Sequence, residues 1–182
     1  GCKSLISIVI GNGVTSIGEW AFKHCSSLTS IVIPDGVTSI EYEAFRGCSS
    51  LTSIVIPDGV TSIGEDAFRG CSSLKSIVIP DTVTYIDGGA FEASHLTSVV
   101  IPDSVTMISS HTFESCENLL SVVIGKGITD IFYEVFAGCC ALVSITYNGT
   151  MEQWKQIAFA GDDWNEGVPA KVVHCTDGDV EI

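Results

Sequence analysis

At 182 residues with 46% hydrophobic side chains, the chain has ample apolar surface for one packed domain, which excludes disorder. Twenty-two acidic residues against eight basic ones leave a formal charge of −14, and Lys3, Lys23, Arg46, Arg69, Lys75, Lys126, Lys155 and Lys171 are scattered along the whole length, so no nucleic-acid surface and no anionic membrane surface is expected. No apolar run approaches the roughly 18 residues of a spanning helix, and membrane insertion is not predicted.

The opening Gly1-Cys2-Lys3-Ser4-Leu5 carries neither the basic nor the apolar segment of a signal peptide. It aligns with Gly47-Cys48-Ser49-Ser50-Leu51, the tail of a repeat, so the chain is expected to start in mid-repeat, as part of a longer protein whose leader would lie upstream. The period is 23 residues. Leu5, Leu28, Leu51, Leu74, Leu96, Leu119 and Leu142 keep it with one step of 22, where Phe91-Glu92-Ala93-Ser94-His95-Leu96 is a residue short, and Phe22, Phe45, Phe68, Phe91, Phe113 and Phe136 keep the same beat.

The unit Leu51 to Ser73 represents the set. Ser53 to Ile56 is β-branched and is stopped by Pro57, which predicts a strand. Pro57-Asp58-Gly59 is turn chemistry, and Val60 to Ile63 is a second short β-prone run. Glu65-Asp66-Ala67-Phe68-Arg69 has acids first and a cation last, the order that suits a helix dipole, with Gly70 as a left-handed cap, so one or two helical turns are expected there. So small a unit buries nothing alone, and its Leu, Ile and Phe positions must stack on those of its neighbours along a solenoid.

After Tyr147-Asn148-Gly149 the pattern changes. Thr150 is placed to cap a helix with Met151, Trp154, Ile157 and Ala158 on one apolar face, ended by Gly161-Asp162-Asp163. Trp164 and Val168-Pro169 read as loop, Lys171 to Cys175 as a strand, and Thr176 to Ile182 as a polar tail. Residues 149–182 are thus expected to cap a solenoid of residues 1–148, with Trp154 covering the last coil.

The Leu-x-x-Ile-x-Ile positions, continued by Pro-x-x-Val-x-x-Ile-x-x-x-Ala-Phe-x-x-Cys, resemble the BspA-type, or treponemal-class, leucine-rich repeat family over residues 1 to about 148. Departures are Gly11 and Gly125 for Pro, Ser94 for Cys, and Thr112 and Val135 for Ala. The resemblance implies a β-rich α/β solenoid: a right-handed array of about seven 23-residue coils with a parallel concave sheet and a C-terminal helix/strand cap. It also implies a bacterial protein that is secreted or held at the cell surface, where several members bind extracellular matrix or other cells.

Candidate chemistry is sparse. Cys2, Cys25, Cys48, Cys71, Cys116 and Cys139 share one repeat position and read as a buried ladder, with disulfides between coils or a metal as weaker alternatives. Cys140 and Cys175 lie off the ladder, as a possible pair or as reactive thiols. His24, His95, His111 and His174 fit no nucleophile and base pattern. Asp35, Asp58, Asp81 and Asp103 form a column at the turns, expected to bond their own backbone rather than Ca²⁺. Asn148-Gly149-Thr150 is a glycosylation sequon, read here as a turn. No catalytic residue, cofactor or metal is expected.

The sheet surface is more informative. If Ile31 and Ile33 point inward, Ser30 and Val32 point out. Val9, Val32, Val55, Val78, Val100 and Val123 then form an exposed column, with Ser30, Ser53 and Ser76 beside it. That strip and the resemblance point to a non-enzymatic, adhesin-like binding module, monomeric, that takes protein or glycan partners on the concave sheet. A structural spacer that displays other domains is the alternative, favoured by near-identical coils such as 28–50 and 51–73. An enzyme is the least supported reading.

Overall fold

The computed structural model describes all 182 residues as a β-solenoid of about six turns rather than seven. Two columns of short parallel strands run along it. The first holds Ser30–Val32, Ser53–Val55, Ser98–Ile101, Ser121–Ile124 and Ser144–Tyr147, and the second holds Ser16–Ile17, Ser39–Ile40, Ser62–Ile63, Tyr85–Ile86, Met107–Ile108 and Asp130–Ile131. Partners are one period apart, as in Ile31↔Ile54, Ile40↔Ile63 and Val99↔Val122. Threonine hydroxyls add to both ladders: Thr52 Oγ1 donates to Thr29 O and Thr61 Oγ1 to Thr38 O. The turn between the columns closes on backbone alone, with Val60 N donating to Pro57 O at 3.0 Å. The aspartates there do not bond their own turns as expected; Asp103 accepts from Lys126 N of the next coil instead, at 2.9 Å.

The expected helical turns at 65–69 are absent. In their place each coil makes consecutive turns in which every second N–H leaves the coil. Ala44, Arg46 and Cys48 donate three residues back, to Glu41, Glu43 and Phe45, whereas Glu43, Phe45 and Gly47 donate to Glu65, Ala67 and Arg69 of the next coil. This alternation needs positive φ at two positions four residues apart, and Glu43 and Gly47, Asp66 and Gly70, and His111 and Ser115 all show it. A helix would turn all of these donors inward. The acid-first, cation-last order that suggested a dipole serves ion pairs between coils.

The core is the set of stacked columns. The Ile, Leu and Phe positions are buried, and Phe22 through Phe136 stack in series with centroids 5.3–5.6 Å apart and planes within 12° of parallel. Such offset pairs contribute about 0.5–1.5 kcal/mol each beyond their buried area. Cys25, Cys48, Cys71, Cys116 and Cys139 are buried, and all eight cysteines are unbridged, Cys140 and Cys175 included. Each ladder thiol from Cys48 on donates to a phenylalanine carbonyl of the preceding coil, as Cys48 does to Phe22 at 3.1 Å. Where Ser94 departs from the pattern its hydroxyl lies 3.3 Å from Cys116 Sγ, and Thr112 bonds Ser109 O at 2.6 Å, so both polar substitutions are satisfied inside the core. The coil with the missing residue, from Leu74 to His95, differs from the rest: its 75–79 segment forms no strand, and the first column is divided there.

The C-terminal segment departs further from expectation. The helix is a single turn, Met151–Trp154, with Thr150 as N-cap and Gln153 completing a capping box. It stops there because the chain turns back into the ladder. Ala158–Phe159 pairs with Asp130–Ile131, Phe136 N donates to Trp164 O, and Val172–Cys175 pairs with Ser144–Tyr147, so residues 151–175 trace one more irregular coil. The expected polar tail is a strand, Gly178–Glu181, antiparallel to Val172–Cys175. Trp154 packs on Tyr147, Phe159 and Trp164, and Trp164 meets the last ring of the stack, Phe136, edge-on at 6.1 Å.

Two measurements check this packing. Thiol labelling of the native protein should modify Cys2 and Cys140 rapidly and Cys175 slowly, and all eight cysteines after denaturation; burial lifts the Cys48 thiol to about 12 and keeps it unreactive. Trp164→Ala should lower stability by about 3–5 kcal/mol in denaturant unfolding, since it opens the end of the phenylalanine stack.

Candidate functional site

Two surfaces carry side chains that the core does not use. The first is the outer side of the first strand column. Strand alternation puts Ile31, Ile54, Ile77 and Val99 inside and leaves Val9, Val32, Val55, Val78 and Val100 exposed, from 94% at Val9 to 56% at Val100. Ser30, Ser53 and Ser76 are exposed beside them. Val78 keeps its outward direction although its segment forms no strand. Val123 departs from the expected exposure and is half-buried, paired with Val100 on one side and Thr146 on the other.

The second surface is the turn edge, and sequence reasoning missed it. The first left-handed position of each coil is Trp20, Glu43, Asp66, Gly89, His111 and Glu134 in turn. Three residues on, in the same order, stand Lys23, Arg46, Arg69, Glu92, Glu114 and Ala137. In the first half each cation reaches forward to the next coil. Lys23 and Arg46 both hold Glu43, Arg46 holds Asp66 at 2.8 Å, and Arg69 holds Asp66 at 3.4 Å and Glu92 at 2.7 Å. Gly89 supplies no acid, and at φ 63° a Cβ there would stand 2.3 Å from Asp66 Oδ1. Burial by itself would raise the Glu43 pKa, but hydrogen bonds from Lys23 and Arg46 outweigh it and hold the carboxyl below its ordinary value.

Beyond Arg69 the cations run out. Glu92 and Glu114 occupy the positions of the basic side chains, and burial together with Glu114 and Asp66 pushes the Glu92 pKa up although Arg69 opposes it. His111 alone stands between Glu114, 2.8 Å from its Nδ1, and Glu134, at 3.2 Å. Glu92 and His111 border a cleft of about 510 Å³ whose lining also includes Arg69, Tyr85 and Tyr133. The signal was present in the repeat, since His111 and Glu134 are one period apart. Of the other histidines, His174 pairs with Asp179 on the exposed terminal hairpin, 2.9 Å away. No helix is long and apolar enough to cross a membrane.

The ladder at Glu43 makes a prediction about pH. A carboxyl whose pKa is depressed in the folded state contributes stability that is complete above the ordinary value of 4.5 and is lost as pH falls through the lower folded value. Melting temperature should therefore drop more steeply below pH 4.5 in the wild type than in Glu43→Gln, which should already be less stable at pH 7 because a buried acceptor for two cations is weakened.

Six copies of the BspA type leucine rich repeat region match residues 1–54 and 38–164. Among solved structures, the leucine-rich repeat protein of T. pallidum is 34% identical, with a TM-score of 0.73 over 76% of this chain and 67% of that one. A leucine-rich repeat protein from Bacteroides ovatus is 28% identical, with a TM-score of 0.62 over 79% of this chain and 47% of the other. The pneumococcal vaccine antigen PcpA, at 18% identity and a TM-score of 0.70, shares the fold over 93% of this chain and 41% of its own. Among curated proteins none matches. The chain spans about two thirds of the T. pallidum protein and less than half of the B. ovatus one. By its six matched repeats and their 23-residue register, the chain belongs to the BspA-type leucine-rich repeat family.

Proposed function

We propose that the chain is a non-enzymatic binding module of a bacterial protein that is secreted or displayed at the cell surface, and that it docks a protein or glycan partner across the valine and serine face. Family membership supports the location and the absence of catalysis. The observation that carries the binding reading is the column Val9, Val32, Val55, Val78 and Val100, apolar and exposed on successive coils. At a coil spacing of about 4.8 Å the column runs roughly 20 Å. A continuous apolar strip of that length is more than a monomer usually leaves uncovered. The serines beside it offer hydroxyls that both donate and accept, which suits a peptide backbone or a sugar.

The test is a panel of matrix proteins and glycans probed with this chain and with the double variant Val55→Glu/Val78→Glu. The variant should keep its melting temperature within about 1 °C, because both side chains point into water. It should lose binding by at least about 100-fold, since two carboxylates would be desolvated against the partner without a counter-charge. Asp58→Asn, on the exposed turn, is the control and should bind as wild type. A wild-type chain that captures nothing, or a double variant that binds normally, removes the face as the site and favours a spacer.

A further inference from the structure

We propose that His111, Glu114 and Glu134 form a binding site for a divalent transition-metal ion of the Zn²⁺ class, held at the turn edge where the ion-pair ladder changes sign. In the first three coils the residue that reaches forward from the turn is Lys23, Arg46 or Arg69, and each meets an acid of the following coil. Two coils later the same step sets Glu114 against Glu134. Two carboxylates with oxygens within 4.8 Å of each other repel unless a cation stands between them. The only basic side chain placed between them is the imidazole of His111.

The geometry of that imidazole points beyond a simple ion pair. Its Nδ1 is shielded from solvent and makes a properly directed hydrogen bond to neither carboxylate, although Glu114 Oε2 lies 2.8 Å away and Glu134 Oε2 3.2 Å. All three donor atoms fall within 4.8 Å of one another, and no other group of histidine, cysteine and acidic side chains in the chain closes on a point in this way. Ligands about 2.0–2.2 Å from one ion stand about 3.0 Å apart along an octahedral edge and about 3.4 Å apart along a tetrahedral one. The two Nδ1 separations, 2.8 Å and 3.2 Å, bracket the octahedral edge. One imidazole and two carboxylates are a donor set for first-row divalent ions, with nitrogen disfavouring Ca²⁺ and Mg²⁺.

The site is also held in place before any ion arrives. His111 and Glu134 both have left-handed backbones, with φ of 61° and 54°, so their side chains leave the chain at angles set by the fold. The Tyr133 ring meets the His111 ring edge-on, with centroids 5.1 Å apart, and fixes its plane. His111 also lines the adjoining cleft, from which water or a donor atom of a bound partner would complete the coordination. Ligation through Nδ1 requires the proton on Nε2.

The experiment is calorimetric titration of the full chain with Zn²⁺, in a background where the accessible thiols are removed as Cys2→Ser, Cys140→Ser and Cys175→Ser. One ion per chain should bind and raise the melting temperature. His111→Asn, chosen because asparagine tolerates a left-handed backbone, and Glu134→Gln should each weaken binding by at least about tenfold and abolish the thermal shift. His174→Gln should change neither. Should His111→Asn fail to fold, Glu114→Gln, whose backbone is not left-handed, should show the same tenfold loss. No heat at about 1 mM Zn²⁺ would mean that His111 merely bridges the two acids, and the proposal falls. Undiminished affinity in the His111 and Glu134 variants, or a loss in His174→Gln instead, overturns it as well.

Discussion

Backbone hydrogen bonds that leave one coil and end on the next are the constraint from which the other features follow. Three donors per coil cross in the turn segment, and others cross in the two strand columns. These bonds make room for eight non-glycine residues with positive φ, a conformation that costs on the order of 1 kcal/mol or more wherever nothing enforces it. They also fix the register. A slip of one residue would take the inward strand isoleucines out of the core and the outward valines into it, so the repeat step is kept by all columns at once. The phenylalanine stack is the apolar expression of the same register, and the ion-pair ladder is the polar one.

The two surfaces therefore have different origins. The valine face is what the coils have in common, and it repeats because a β-branched residue suits an outward strand position whichever coil carries it. The turn edge is where the coils differ. Its left-handed position accepts Trp20, Glu43, Asp66, Gly89, His111 or Glu134, because the crossing hydrogen bond is made by the backbone and places few demands on the side chain. Variation collects there without cost to the core. What distinguishes one coil of this chain from another lies along that edge more than on the sheet.

Much of the fold was legible because stacking makes each column of the sequence a column in space. The inward isoleucines, the outward valines and the buried cysteines all follow from period and alternation alone. The turn segment was misread because Glu65-Asp66-Ala67-Phe68-Arg69 has an order of charges that serves a helix dipole and an inter-coil ladder equally well, and composition cannot separate them. The strand Gly178–Glu181 was hidden by Asp177 and Asp179, which look like a solvated tail but stand at a tight turn and on an exposed hairpin face. The cluster at His111 was within reach. The 23-residue step from His111 to Glu134 is present in the sequence, but the residue type at that position changes from coil to coil, so no repeated residue marks the column.

The short coil from Leu74 to His95 interrupts the strand pairing along the solenoid. On one side of the solenoid its 75–79 segment joins no strand, and on the other Tyr85–Ile86 is paired to the preceding coil but not to Met107–Ile108. The turn ladder alone passes through without a gap, by Phe68 to Ala90 and Phe91 to Thr112, with the phenylalanine rings stacked beneath it. With one continuous edge between two interrupted faces, this coil is tied to its neighbours by less strand pairing than the coils on either side, and local opening of the array is expected to begin there rather than within those coils.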